Sequence, residues 1–433
     1  MQAIPTYIIN LAKRTDRKAH CLKQFANKPE FDMQIVKAIE NERGALGLWQ
    51  TIKYILQNLS NDGDEFVLIC EDDHIFNPNY SKELLFQAIK EAMDKDAAIL
   101  AGGVSWLNSA LQVSRNIYWM EKFTGLQFAV IFRNFFTKII EAEFATTDVA
   151  DLKICSLTNK KFFIHPFISA QKEFGYSDVT SKNNIQGRVE KLFDNMSESV
   201  QIIKSVTEYF AYERNWQIED VEQLTIPTYI ISRSSERLGH ISGQFLGKAE
   251  FEVNIVDANT PPRWNTMRKI VEMAITNDDD IIIICEDTHE FTPHYSKQFL
   301  LENIMGAFYE GADILLGGTA NFGVTVPITG NRLWIGSFSG TSFLILYKSI
   351  FMKILDESIS ETATMDEFLS ELTSNKMVLY PFISLQKDFV QIESKSVGNT
   401  NGEIANPFSK SEQGLDNILQ AYRYHSQWPK KVY

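Results

Sequence analysis

Short, unbroken apolar runs alternate along this chain with stretches whose apolar residues recur every three or four positions. The first pattern reads as strand covered on both faces, the second as amphipathic helix. Tyr7–Asn10 is read as a strand, Asp16–Phe25 as a helix and Gln34–Ala38 as a second strand. Leu46–Leu59 has helical periodicity, and Phe66–Cys70 is a continuous apolar strand. Lys82–Met93 is expected to be a helix with Leu84, Leu85, Ala88, Ile89 and Ala92 turned inward. Ala98–Ala101 is a strand stopped by Gly102 and Gly103. Alternation of this kind predicts an α/β fold, a mostly parallel sheet flanked by helices.

The pattern then repeats. Ile69–Leu85 (ICEDDHIFNPNYSKELL) lies over Ile284–Leu300 (ICEDTHEFTPHYSKQFL) with 11 of 17 positions identical, at an offset of 215. The same offset pairs Gly102 and Gly103 with Gly317 and Gly318, and Pro166–Ser169 with Pro381–Ser384. Near the start the offset is 222 for Tyr7 and Tyr229, then 220 for Arg17 and Arg237 and for His20 and His240. The second copy is therefore shorter just after its first strand. A repeat of this length is a whole domain, not a solenoid unit. The expected division is 1–215, a connector at 216–224, and 225–433. Gln186–Tyr212 and Ser409–His425 have the pattern of tail helices that close each copy or pack the copies together.

Composition narrows the class. Of 433 residues, 44% are hydrophobic and 30 are Phe, enough for proper cores. The net charge of -13 argues against a nucleic-acid partner. There is no run of about 18 uncharged apolar residues and no basic-then-apolar leader, so a cytoplasmic protein is expected. Cys21, Cys70, Cys155 and Cys285 form no CxxC pair and are read as reduced core thiols.

Ligands of open α/β sheets bind beyond the carboxyl ends of the strands. Glu71, Asp72, Asp73 and His74 stand where the strand Phe66–Cys70 ends. Successive carboxylates repel one another, and a shared cation lowers that cost; oxygen ligands suit Mg²⁺ or Mn²⁺. The plainer reading is a solvated turn leading into the next helix. The second copy has Glu286, Asp287, Thr288 and His289. If Asp73 is the main ligand, that copy is weakened; if the pair is Asp72 and His74, it keeps both. The residues leave this open. Arg14 and Arg17, beside a helix N-terminus at a strand end, make a diphosphate cradle or an ordinary turn. The second copy keeps Arg237 but has Ser234 for Arg14.

Ile9-Asn10-Leu11, then Arg14, Asp16 and Arg17, then Gly44 and Gly47, then the apolar strand into Glu71-Asp72-Asp73, resembles glycosyltransferase family 25, the lipooligosaccharide-biosynthesis type. Thr124–Phe128, Asp148 or Asp151, Pro166–Gln171 and Ser177-Asp178 resemble the family's later elements, so the likeness covers most of 4–180. It implies two tandem GT-A-like (Rossmann-like) domains. It also implies inverting transfer of a sugar, often galactose, from a UDP-sugar to a hydroxyl of a glycan or lipid-linked saccharide. A lipid-linked acceptor would bring the protein to a membrane surface. The resemblance puts Asn10, Arg14, Arg17, Glu71 and Asp72 at the nucleotide sugar and Asp73 and His74 at Mn²⁺ or Mg²⁺, a DXD-like arrangement. For the base that takes the acceptor proton, Asp151 is favoured because it pairs with Asp366, whereas Asp148 pairs with Ala363. Glu173, paired with Asp388, is the second candidate, and a helix cap is the plain alternative for Asp151. Trp106, Trp119 and Phe123 are expected on the acceptor side or in the core. The second copy lacks Asn10, Arg14 and Asp73, has Ile392-Glu393 for Ser177-Asp178, and has no clear match for Asn183 and Asn184. Three readings follow: one competent copy, two active copies of different specificity, or a tandem binding protein without turnover.

Overall fold

The structure, a computed structural model, describes residues 3–175, 185–211, 224–232, 234–257, 263–358, 364–387 and 405–425. Ser177-Asp178, Asn183, Asn184, Ala363, Asp388, Ile392-Glu393 and connector residues 216–223 lie outside these. The chain divides into two compact units, Met1–Glu208 with Tyr424–Tyr433, and Tyr209–Arg423. The division falls before the expected boundary at 215.

In the first unit the elements run β1 (Ile4–Asn10), α1 (Thr15–Phe25), β2 (Phe31–Lys37), α2 (Gly44–Asn58), β3 (Phe66–Glu71), β4 (His74–Phe76), α3 (Lys82–Met93) and β5 (Ile99–Ala101). They continue with β6 (Trp106–Leu107), β7 (Ala110–Gln112), β8 (Ile117–Met120), β9 (Phe123–Thr124), β10 (Phe128–Phe132), α4 (Arg133–Glu141), α5 (Ala150–Leu157), β11 (Lys161–Ile164), β12 (Ser169–Gln171) and α6 (Arg188–Phe210). Eight strands form one sheet in the order β2-β1-β3-β10-β5-β11-β8-β7. Parallel pairing joins β2 to β1, β1 to β3 and β5 to β11. Antiparallel pairing sets β10 against β3 and β5, β8 against β11, and β7 against β8. Only β10 and β8 therefore run against the other six, and the sheet is mostly parallel in strand direction.

The antiparallel strand β10 was not foreseen from the pattern. All five of its residues are buried, as a central strand covered on both faces requires. It starts where β3 ends, pairing Phe128 with Cys70. This carries the preceding loop, Gly125–Gln127, to the carboxyl edge of the sheet. Helix α3 begins as its sequence predicts: the Ser81 hydroxyl accepts from Leu84 N at 3.1 Å, and Leu85, Ala88, Ile89 and Ala92 are buried. Leu84 is only half-buried.

The second unit has the same order: β13 (Ile226–Ser232), α7 (Ser235–Phe245), β14 (Phe251–Asp257), α8 (Arg263–Thr276), β15 (Ile281–Glu286), β16 (His289–Phe291), α9 (Lys297–Tyr309) and β17 (Ile314–Leu316). Then follow β18 (Asn321–Phe322), β19 (Thr325–Pro327), β20 (Arg332–Ile335), β21 (Phe338–Ser339), β22 (Phe343–Tyr347), α10 (Lys348–Asp356), α11 (Met365–Leu372), β23 (Lys376–Leu379), β24 (Ser384–Gln386) and α12 (Ala405–His425). Its sheet order is β14-β13-β15-β22-β17-β23-β20-β19, strand for strand that of the first unit. Ile283 and Cys285 share a core cluster with Ile241 and Phe245 of α7 and with Leu300, Leu301 and Ile304 of α9. Alternation along the strand turns Ile282 and Ile284 to the opposite face, and both are buried there. The result is two similar α/β domains, each a mostly parallel sheet flanked by helices.

The likeness extends to buried polar details. Lys161 and Lys376 are both buried and donate, at 2.5 Å, to Thr158 O and Thr373 O at the ends of α5 and α11. Tyr80 bonds Glu30, and Tyr295 bonds Glu250. A glycine is required where β12 crosses: a Cβ on Gly103 would meet Ser169 O at 2.2 Å, and one on Gly318 would meet Ser384 O at 2.3 Å. No described helix is long and apolar enough to cross a membrane.

His74 and His289 sit in matching aromatic pockets, fully buried. The His289 ring lies 4.3 Å from Phe291, 5.0 Å from Phe343 and 5.8 Å from Phe245, with Nδ1 2.7 Å from Ser384 Oγ. Burial drives its imidazole down from 6.5 to about 3, and that of His74 likewise. The unfolded chain therefore takes up a proton below 6.5 that the folded ring refuses until about 3. Stability from each ring is complete above 6.5 and is lost as pH falls toward 3. The loss is on the order of 1 kcal/mol per pH unit per ring. Melting scans from pH 7 downward should show this slope. His289→Asn, which keeps a polar group near the Nδ1 position but does not titrate, should reduce it; an unchanged slope would show that the ring contributes none of it.

Candidate active site

The carboxyl edge of β1 and β3 collects the charged residues of the first unit. Parallel pairing sets Ile9 beside Glu71, so Asn10 and the turn into α1 face the sequence that follows β3. Asp72 is the hub. Its Oδ2 accepts from Asn10 Nδ2 at 2.9 Å and its Oδ1 from Arg17 Nη1 at 3.0 Å, while Arg14 Nη1 lies 3.9 Å from Oδ1. The same Asn10 amide donates to Arg14 O at 3.1 Å, which shapes the turn. Arg17 also reaches Asp73 Oδ2 at 3.0 Å, and its guanidinium stands 4.8 Å from the Phe174 ring centre. Asn10, Arg17, Asp72 and Asp73 are all buried.

Asp73 is held from the other side by the ribbon of β4 and β12. Antiparallel pairing sets Gln171 opposite His74, and the Gln171 amide donates to both Asp73 oxygens at 3.3 Å. Lys172 N donates to Asp73 O at 2.7 Å. Burial nonetheless raises the Asp73 carboxyl to about 6, opposed by Arg17. Glu71, half-buried at the end of β3, is raised well above the usual range by burial and then by Asp73, Asp151 and Asp72, with Arg17 opposing.

Asp151 enters from the first turn of α5. Its Oδ2 accepts from Gly125 N at 2.8 Å, and burial raises its carboxyl despite that bond. Gly125 has φ +116°, and a Cβ there would stand 2.9 Å from Gln127 Oε1 and 3.2 Å from Ser105 N. Glycine lets the chain present this amide to Asp151. The Gly125–Gln127 loop stands at the carboxyl edge of the sheet, so this bond brings Asp151 to the same edge. Glu71, Asp72, Asp73 and Asp151 set four carboxyl groups against the two guanidiniums of Arg14 and Arg17.

Two of the expected residues stand elsewhere. The His74 ring turns away from the carboxylates into the aromatic core, 4.4 Å from Phe76, with Nδ1 2.8 Å from Ser169 Oγ. Its main-chain carbonyl faces out and accepts from His20 Nε2 at 2.9 Å. Glu173 accepts from Gly187 N at 2.7 Å and Val189 N at 2.6 Å, capping α6. Asn10 bonds Asp72 and Arg14 O, and Asp72 bonds Arg17, which makes Asn10 and Asp72 parts of the frame around Asp73. Trp119 and Phe123 are buried, whereas Trp106 is 41% exposed on the ribbon of β6 and β9. The role of Gln171 was visible only as part of a resemblance, because its partner is 98 residues away. The thiols are free, with Cys21, Cys70 and Cys285 buried. Burial, then Asp72 and Asp73, push Cys21 up to about 12.

The second unit rebuilds the same frame with different groups. Asp287 accepts from Arg237 Nη1 at 3.3 Å and from Ser232 Oγ at 3.4 Å, and the Ser232 hydroxyl lies 3.3 Å from Ser234 O. Gln386 reaches Glu286 Oε2 at 3.5 Å and Thr288 Oγ1 at 3.4 Å. Asp366 accepts from Gly340 N at 2.7 Å and Thr341 N at 3.2 Å. Thr288 takes the place of Asp73, and Ser234 that of Arg14.

Among the described residues no three or more His, Cys, Asp or Glu form a ready cage for a metal ion. Mg²⁺ and Mn²⁺ do not need one: one or two carboxylates suffice when substrate phosphates supply the other ligands. Glu71, raised by burial and by Asp73, and Asp73, raised by burial, fit that demand.

No known family model matches this chain, and no curated protein matches its sequence. The solved structures that it resembles do so only distantly. A197 from STIV is 12% identical, with a TM-score of 0.28, over 41% of this chain and 87% of its own. UDP-glucose pyrophosphorylase complexed with UDP-glucose is 11% identical, with a TM-score of 0.28, over 45% and 81%. The glycosyltransferase GlyE of Streptococcus pneumoniae TIGR4 is 9% identical, with a TM-score of 0.23, over 71% and 92%. At such scores the likeness has no bearing on what this chain does.

Removing Arg17 would take the 3.0 Å cationic partner from both Asp72 and Asp73 and leave Arg14, 3.9 Å from Asp72, to compensate them. Arg17→Met should destabilise the first unit at neutral pH by about 3 kcal/mol, the cost of breaking a buried pair. Arg237→Met should cost less, because the Arg237 side chain is 33% exposed and its charge is screened. Hydrogen exchange of peptides covering Ile4–Asn10 and Ile226–Ser232 measures each unit separately. Equal losses would show that the guanidiniums hold the two frames alike.

Proposed function

We propose that the first unit is a glycosyltransferase of the family 25 type, moving a sugar from a UDP-sugar to a hydroxyl of a glycan or lipid-linked saccharide with inversion. The single observation that carries this reading is the gathering of Glu71, Asp73 and Asp151 beside Arg14 and Arg17 at the carboxyl edge of the sheet, with more carboxyl groups than guanidiniums to pair with them. A divalent cation with a diphosphate suits that imbalance.

In this reading Asp73 and Glu71 hold the cation, and His74 is not among its ligands. When bound, the cation neutralises charge on the departing diphosphate. Arg14 faces the same phosphates, and Arg17, anchored on Asp72, holds Asp73 in place by a direct bond. Asp151 takes the acceptor proton while the hydroxyl attacks the sugar carbon from the face opposite the nucleotide. Burial raises its carboxyl, which makes it a stronger base than an exposed aspartate, and the Gly125 amide fixes its direction. Glu173, bound to the start of α6, is set aside as a base. The likeness of the two units is read as a tandem duplication whose second copy lost this activity with Asp73 and Arg14.

UDP with Mn²⁺ should raise the melting temperature of the intact chain, and EDTA should remove the effect. Asp73→Asn should abolish both this shift and UDP-sugar turnover. Asp151→Asn should keep the shift and lose turnover by about 100-fold or more. A panel of UDP-sugars, assayed for Mn²⁺-dependent hydrolysis, identifies the donor. Turnover that survives Asp73→Asn would sink the proposed cation site.

A further inference from the structure

The second unit contains a cavity of about 120 Å³ at the position equivalent to the first unit's charged edge. Its polar lining is Arg237, Glu286, Asp287, Thr288 and Gln386; Ile231 and Met365 supply the apolar part. The frame that shapes it is intact, through the bonds of Asp287 to Arg237 and Ser232 and of Gln386 to Glu286 and Thr288. What has changed is the kind of ligand it can take.

Two substitutions remove the means of holding a cation with a diphosphate. Thr288 offers a hydroxyl where Asp73 offers a carboxylate, and Ser234 offers none of the charge of Arg14. In the lining, two carboxylates face one guanidinium, and that guanidinium pairs with Asp287 at 3.3 Å. An anion brought there without a cation would meet net negative charge. A third change alters shape: Met365 stands where the first unit has the buried Ala150. The longer side chain lines the cavity with apolar surface.

These groups suit a neutral molecule rich in hydroxyls. Glu286 and Asp287 accept hydrogen bonds, Arg237 and Gln386 donate, and Thr288 does both. Ile231 and Met365 cover an apolar C–H face. The volume lies far below the roughly 300–1,000 Å³ of sites that take drug-sized ligands, so one ring fits and a nucleotide sugar does not. We propose that the cavity of the second unit binds a single neutral sugar ring, such as the end of a glycan chain, without a metal ion. The proposal stands independently of sugar transfer by the first unit.

The test uses the intact chain in EDTA, with methyl β-galactoside, methyl β-glucoside and N-acetylglucosamine as probes in saturation-transfer NMR. At least one should bind saturably in the millimolar range. Gln386→Leu, which removes the bridging amide, and Met365→Trp, which fills the cavity from the start of a helix, should each weaken it by roughly tenfold or more. Asp73→Asn, in the other unit, should leave it unchanged. Melting scans check that each variant is folded, and Met365→Trp carries the test if Gln386→Leu is not. Three results would overturn the proposal: no binding of any probe, binding indifferent to Met365→Trp, or displacement of the sugar by inorganic pyrophosphate in EDTA. Loss of binding in Asp73→Asn alone would move the site to the first unit. None of these outcomes depends on UDP or Mn²⁺, so failure here and failure of the transfer reading are told apart.

Discussion

The buried contact of Asp72 with Asn10 and Arg17 organises everything at the sheet edge. It ties the turn after β1 to the end of β3, elements more than fifty residues apart in sequence. A carboxylate out of water is tolerable only with donors on both oxygens, and Asp72 has them. Once Arg17 is committed there, its other reach fixes Asp73, and Gln171 closes the far side. Asp73 is thus aimed by a frame in which each member is held by another.

The two units show which contacts of that frame are shared and which residues differ. The pairs Asp287–Arg237, His289–Ser384 and Gln386–Thr288 repeat the pairs Asp72–Arg17, His74–Ser169 and Gln171–Asp73. These are the groups whose loss would leave something buried and unpaired. Asp73 and Arg14 have different residues at their places in the second unit, and the fold around them stands unchanged. A residue whose work is done on a ligand can be exchanged without upsetting the packing; a residue that satisfies a buried partner cannot. Polarity alone would not have separated the two kinds.

Much of the architecture was legible in the chain. Continuous apolar runs marked β1, β3 and β5, helical periodicity marked α1 to α3, and the constant offset announced two similar units. The antiparallel β10 was not legible. Phe128–Phe132 is as apolar as a parallel strand, and direction is settled by which neighbours it joins. The site was legible as a place and much less as a set of roles. Three acidic residues and a histidine in a row after a strand pointed to ligand chemistry, but said nothing of where each side chain turns.

The sequence by itself determined the repeated α/β frame, the acidic strand end and the inequality between Asp73 and Thr288, because these depend on local pattern and residue identity. Only the tertiary structure decided the roles of neighbours. Asp72 turns to Asn10, His74 to Ser169 and Asp73 to Gln171, partners 62, 95 and 98 residues away. Past the end of a strand the backbone no longer dictates which way a side chain points. A buried polar group goes where a distant segment brings its partner, and that is a property of the packed fold.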